Sequence, residues 1–314
     1  MPTALYSPAE CRAHDMGHGH PESPARLVAM AEQLQRSGLL ESLQLKDAPL
    51  VTEAQLQRAH EPDHVAQMLA LLEAVERSGE VRALDADTDV MAGSRGAALK
   101  AAGAAVAATD AVLAGEVDNA FCAVRPPGHH ATRSRAMGFC VFNNVVVAAR
   151  HALEAHGLQR VAIVDFDVHH GNGTEDIVAG DERMLMVGLF QHPLYPHSGD
   201  SPTAGNLLNV PLPARSDGAA VRALVEQLWL PRLDAFAPQM VFISAGFDAH
   251  REDPLAQLAL VEADYAWITR RIKQVAERHA QGRIVSCLEG GYALGALARS
   301  VEAHVRVLAE PRGC

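Results

Sequence analysis

VAIVDFDVHHGNGTED, residues 161–176, is the stretch whose reading decides the fold of this chain. Val161 to Val164 are apolar and largely β-branched, which suits a strand buried on both faces of a parallel sheet. The run ends in Asp165, Asp167 and His169, which a period of two sets on one face, and Gly171 and Gly173 around Asn172 then turn the chain. Open α/β sheets bind ligands at the carboxyl ends of their strands, so metal-ligating side chains there point to metal chemistry.

Three more apolar runs end in the same way. Phe121 to Val124 leads through Arg125-Pro126-Pro127-Gly128 to His129 and His130, Met240 to Ser244 leads to Gly246 and Asp248, and Ile284 to Leu288 leads to Glu289-Gly290-Gly291-Tyr292. Taken singly, these are ordinary features: aspartates cap helices and turns, histidines satisfy cores, and a tyrosine packs with its hydroxyl at the surface. Four such ends on one sheet instead gather their groups into one crevice. Two carboxylates and one imidazole suit a divalent metal of zinc or iron type, and three protein ligands leave a position open for water or substrate. The histidine pair can then move protons, and the tyrosine hydroxyl can donate to an oxyanion.

These motifs resemble the zinc-dependent histone deacetylase and acetylpolyamine amidohydrolase family. RPPGHHA at 125–131, GFCVFNN at 138–144, DFDVHHGNGT at 165–174, SAGFDAH at 244–250 and LEGGY at 288–292 follow its order, with HPESPARL at 20–27 ahead of them. The resemblance implies one Zn²⁺ per chain held by Asp167, His169 and Asp248. It implies His130 as general base and then acid, His129 as its electrostatic partner, Asp165 orienting His129, and Asn172 orienting His130. An Asn at that last place resembles the class II branch. Tyr292 takes the place of the tyrosine that stabilises the tetrahedral intermediate. Gly138, Phe139, Tyr195, Leu255 and Gly290 fall at substrate-binding positions, and Arg26 at the arginine beside the product channel.

Two departures stand out within the resemblance. Gly188 and Phe190 replace a Ser and a His, so a structural K⁺ site keeps Asp165 but loses a hydroxyl ligand. Leu255 stands where polyamine-selective class II enzymes carry a glutamate, which disfavours that mode of polyamine recognition. The implied activity is removal of acetyl or a short acyl group from acyl-lysine-type amides. The alternatives are an acetylated polyamine or other small amide as substrate, a two-metal ureohydrolase, and a non-catalytic acyl-lysine-binding protein.

The 314 residues, 48% hydrophobic and 21% charged, suffice for one large core. A single α/β domain over 1–314 is expected: a mostly parallel sheet with helices on both faces, which the resemblance refines to the arginase/deacetylase fold. Met91 to Gly115 reads as a tightly packed helix, and Val221, Leu224, Val225, Leu228 and Trp229, like Tyr265, Ile268, Ile272 and Val275, follow helical spacing. A net charge of −11 argues against nucleic-acid partners and suits cationic peptides or amines. Cys11, Cys122, Cys140, Cys287 and Cys314 are odd in number and lack CxxC spacing, as reduced thiols of a cytoplasmic protein would be. No leader and no apolar run of about 18 residues is read, so no membrane partner is expected. Homo-oligomers are left open. His14, His18 and His20 read as solvated loop residues or rim residues.

Overall fold

A computed structural model describes residues 2–311. Cys314 lies outside them. Eight strands form one sheet in the order β2-β1-β5-β10-β9-β6-β7-β8. They are β1 Thr3–Tyr6, β2 Leu43–Lys46, β5 Asn119–Cys122, β6 Val161–Asp165, β7 Met184–Gln191, β8 Leu207–Leu212, β9 Met240–Ala245 and β10 Ile284–Leu288. Every pairing among them is parallel. A separate short hairpin joins β3 Arg82–Ala83 to β4 Asp89–Val90.

The helices are α1 Ala25–Arg36, α2 Glu53–Leu56, α3 Pro62–Ser78, α4 Ser94–Leu113, α5 Asn144–Glu154, α6 Asn172–Val178, α7 Gly218–Leu224, α8 Leu230–Phe236, α9 Glu262–His279 and α10 Leu294–Ala309. β6 and β9 are buried at every residue, as strands covered on both faces must be. The four expected strand ends, after β5, β6, β9 and β10, lie side by side in this sheet, so the loops that follow converge. This is the α/β architecture expected, with a parallel sheet between helices.

Several sequence expectations shift. The strand placed at Phe121 to Val124 runs Asn119–Cys122, because Arg125-Pro126-Pro127 ends the ladder early. β6 stops at Asp165, so Asp167 and His169 meet through loop geometry and not through strand alternation. Leu228 is 38% exposed, because Val225–Trp229 forms a π-turn between α7 and α8 and moves the helical phase. α4 is long and apolar enough to cross a membrane by length and composition, contrary to the sequence reading. Packing accounts for that composition: 72% of its apolar window is buried, and its small residues allow close approach to its neighbours.

His14 is no solvated residue. It is buried, its Nδ1 lies 2.8 Å from Ser94 Oγ, and its Nε2 lies 3.8 Å from the Glu22 carboxylate. His18 is exposed, while the His20 ring meets Phe139 edge-on at 4.9 Å. Cys11, Cys122, Cys140 and Cys287 are all buried free thiols.

Candidate metal centre and catalytic site

Asp167, His169 and Asp248 converge, each offering one ligand atom within 4.8 Å of the others. His169 Nδ1 lies 3.0 Å from Asp167 Oδ1 and 3.1 Å from Asp248 Oδ2. Asp248 Oδ2 is buried and has no hydrogen-bond partner among the described residues. Two carboxylates buried this closely need a cation, since either alone is costly to ionise away from water. The glycines shape the cradle: a Cβ on Gly290 would fall 2.0 Å from Asp248 Oδ2, and one on Gly246 2.1 Å from Asp167 Oδ2. Oxygen and imidazole donors in this number fit a divalent ion of zinc type.

A second His/Asp group does not fit. His151 Nε2, on α5, and His156 Nε2, just past its end, lie 2.8 and 2.6 Å from Asp110 Oδ1 on α4; Asp110 and His156 are exposed and His151 is buried. Arg58 donates to His151 Nδ1, which leaves the proton on Nε2, pointing at the carboxylate. That is a hydrogen-bond chain in which Arg58, the two imidazoles and the carboxylate already satisfy one another.

The histidine pair sits beside the metal cradle, with ring centroids 4.0 Å apart. His129 Nδ1 donates to Asp165 Oδ2 at 3.0 Å, and its Nε2 lies 3.7 Å from Asp167 Oδ1. Burial disfavours charge on His129, but the carboxylates of Asp167 and Asp165 outweigh it and hold its pKa well above the usual range. His130 Nδ1 donates to Asn172 Oδ1 at 2.7 Å. Burial, then repulsion from His129 and His169, pushes its pKa well below the usual range, so His130 is neutral with a free Nε2. Asp165 and Asn172 are thus the hydrogen-bond partners of the two rings, one each.

His129, His130 and His169 line one cavity of about 250 Å³ together with Gly138, Phe139, Tyr195, Leu255, Gly290 and Tyr292. Phe139 adopts the left-handed conformation (φ 67°), and its N–H is held by Thr88 Oγ1 at 2.9 Å. Gly138 (φ 58°) lets the loop pass close to His130, where a Cβ would lie 2.6 Å from Cδ2. Tyr195 stands edge-on to the His130 ring at 5.1 Å. Burial, then the negative Asp248, keeps the Tyr292 hydroxyl protonated far above its ordinary pKa.

Arg26 was expected beside a product channel, or else as a surface residue paired with Glu22. The pair exists at 3.1 Å, but both side chains are fully buried. Arg26 Nε donates to Gly291 O at 2.7 Å, Nη2 donates to Glu289 O, and the guanidinium lies 5.0 Å from the Tyr292 ring centroid. Arg26 thus braces the loop that carries Tyr292.

The sequence reading missed Asp87, Pro127 and Leu194 in the cavity wall. It also missed Glu289, whose Oε2 accepts from the N–H groups of Gly128 and His129 at 2.7 and 3.1 Å. The glutamate's place in LEGGY, one residue before the paired glycines, was the available signal.

Residues 20–308 match the histone deacetylase domain. The histone deacetylase-like amidohydrolase of Pseudomonas aeruginosa is 40% identical over 281 residues, covering 87% of this chain and 73% of that protein. A probable deacetylase of Archaeoglobus fulgidus is 36% identical over 307 residues, covering 95% of this chain and 83% of its own length. Among solved structures, the HD domain of HDA15 superposes with a TM-score of 0.91 at 33% identity, covering 98% of this chain and 89% of that one. A parallel α/β domain with a metal cradle and a histidine pair at its strand ends defines a hydrolase of the deacetylase class. This chain belongs to the histone deacetylase family.

Proposed function

We propose that the chain is a zinc-dependent amidohydrolase that removes acetyl or a short acyl group from an acyl-lysine-type amide. The observation that carries this reading is the convergence of the Asp167, His169 and Asp248 cradle, the neutral His130 and the Tyr292 loop on one cavity. A divalent ion held by those three ligands supplies Lewis acidity towards the amide oxygen and towards water.

The chain's own groups do the rest. Asn172 fixes the His130 tautomer, so Nε2 accepts the proton of the attacking water and returns it to the leaving amine. His129, held between Asp165 and Asp167, supplies positive charge beside that step. The Tyr292 hydroxyl donates to the developing oxyanion. Phe139 and Tyr195 give the cavity apolar walls that suit an aliphatic side chain.

A K⁺ site near Asp165 belongs to the same proposal in weakened form. Gly188 lies opposite Asp165 in the β6–β7 register and offers no hydroxyl. A cytoplasmic setting with reduced thiols completes the reading, and the free cysteines are in keeping with it.

The acetylpolyamine alternative draws support from one residue. Asp87 in the cavity wall offers a countercharge to an amine, although Leu255 nearby does not. The test measures acetate release by zinc-loaded protein from an acetyl-lysine peptide and an acetylated polyamine, with Tyr292→Phe alongside. Release from the peptide that falls by about 10²-fold in the variant supports the reading. Preference for the polyamine moves the substrate to the alternative. Release from neither, with one zinc bound per chain, leaves the acyl-lysine-binding role.

A further inference from the structure

Tyr292 follows two glycines, Gly290 and Gly291, the second at φ 120°, so its own loop does little to fix its direction. It also precedes α10, whose N-cap Ala293 has no side-chain acceptor to offer the exposed N–H groups of the first turn. The two N–H groups just ahead of that turn, those of Tyr292 and Ala293, find their acceptor in a distant segment. Asp253 Oδ2 accepts from Tyr292 N–H at 2.7 Å and from Ala293 N–H at 3.2 Å. Its other oxygen, Oδ1, accepts from Leu255 N–H at 3.0 Å. Asp253 is buried, and its own N–H is tied to His250 O at 2.8 Å.

One carboxylate therefore holds the backbone of the oxyanion donor and the backbone of Leu255, which lines the same cavity. Arg26 meets the loop's carbonyls from the other side, at Glu289 and Gly291, so the donors and acceptors flanking Tyr292 are both fixed. The negative end of this clamp sits at the start of α10, where the helix dipole favours an anion.

We propose that Asp253 is a positioning residue for the reaction: it aims Tyr292 at the scissile carbonyl and locks Leu255 at the cavity wall to the same frame. The assignment rests on the deacetylase reading, because Tyr292 must act in the chemical step for its aim to matter. Asp253→Asn is the informative change. An amide keeps the size but has one acceptor oxygen and turns an NH₂ towards a backbone N–H, so one of the two attachments must fail.

The experiment is a double-mutant cycle with Tyr292→Phe on zinc-loaded full-length protein, together with amide hydrogen exchange of peptides covering residues 289–297. Asp253→Asn is expected to lower kcat by about tenfold or more in the wild type and by less than about twofold in Tyr292→Phe. Exchange is expected to speed up in the 289–297 peptides, while peptides from β6 and α9 and the zinc content stay unchanged. Equal losses of kcat in both backgrounds, or no loss in either, would overturn a role exerted through Tyr292. Unchanged exchange at 289–297 would overturn the clamp itself. If exchange speeds up as expected but Tyr292→Phe leaves the rate untouched, the clamp stands and the oxyanion role of Tyr292 fails. Asp253→Ala, which removes both acceptors, is expected to exceed Asp253→Asn in exchange and in rate loss, and the reverse order would count against the proposal.

Discussion

Glu22→Gln strikes the buried ion network that ties the N-terminal loop to the site. Glu22 is fully buried and faces two guanidiniums: Arg125 Nη2 donates to Oε2 at 2.5 Å, Arg125 Nε donates to Oε1, and Arg26 Nη1 donates to Oε1 at 3.1 Å. Arg125 in turn holds Cys11 O and His14 O at 3.0 and 2.9 Å. Burial raises the Glu22 pKa, but Arg125 first and then Arg26 overcome it, taking the carboxyl from an ordinary 4.5 down to about 2. That fall corresponds to about 3 kcal/mol of stability. Removing one charge from a buried cluster costs about 3–5 kcal/mol by independent precedent, so the two magnitudes agree. At about 2.1 cal/mol/K of unfolding entropy per residue, a chain of 314 residues should lose about 5–8 °C in Tm at pH 7.

The pH dependence has a definite sign. A carboxyl whose folded pKa is depressed contributes fully above about 4.5 and loses that contribution as pH falls through about 2. His14, buried and uncharged with its pKa lowered to about 4, adds a loss as pH falls from 6.5 towards 4. Urea denaturation from pH 7 to pH 2.5 should show Glu22→Gln destabilised at neutrality and converging on the wild type at the acid end. A difference below about 1 kcal/mol at pH 7, or one that grows on acidification, would refute the reasoning.

Three further perturbations have expected outcomes. Asn172→Ala removes the acceptor that fixes the His130 tautomer and should lower kcat by about 10–100-fold at unchanged zinc content, measured by initial rates and metal analysis. Gly290→Ala places a methyl 2.0 Å from Asp248 Oδ2, and titration with a colorimetric zinc chelator should show affinity reduced while circular dichroism still reports a folded sheet. Asp87→Asn removes a countercharge from the cavity wall, so kcat/KM for an acetylated polyamine should fall by about tenfold more than for an uncharged acyl-lysine analogue.

Much of the site was legible in the sequence because its chemistry sits where apolar runs stop. Asp165 ends β6, and Asp167, His169, Asp248, His129, His130 and Tyr292 lie in the loops that leave β6, β9, β5 and β10, so parallel pairing does the rest. What stayed hidden depends on contacts that no local pattern encodes. Asp253 meets Tyr292 across 39 residues through a backbone N–H, and backbone groups leave no trace in composition. Glu22 reads locally as an i,i+4 partner of Arg26, and only the fold adds Arg125 and removes the water. Leu228 sits in helical phase by sequence, yet the π-turn at Val225–Trp229 rotates it to the surface. Small residues gave α4 the hydropathy of a membrane span, and only packing distinguishes the two.

The central claim is that one divalent ion in the Asp167, His169 and Asp248 cradle drives amide hydrolysis. The most direct measurement strips the protein with a chelator, returns zinc stepwise, and follows acetate release from an acetyl-lysine peptide in the wild type and in Asp248→Asn. The account predicts activity that rises linearly and saturates at one zinc per chain, and none in the variant at that stoichiometry. Activity that survives chelation, or that needs a second ion, would contradict it.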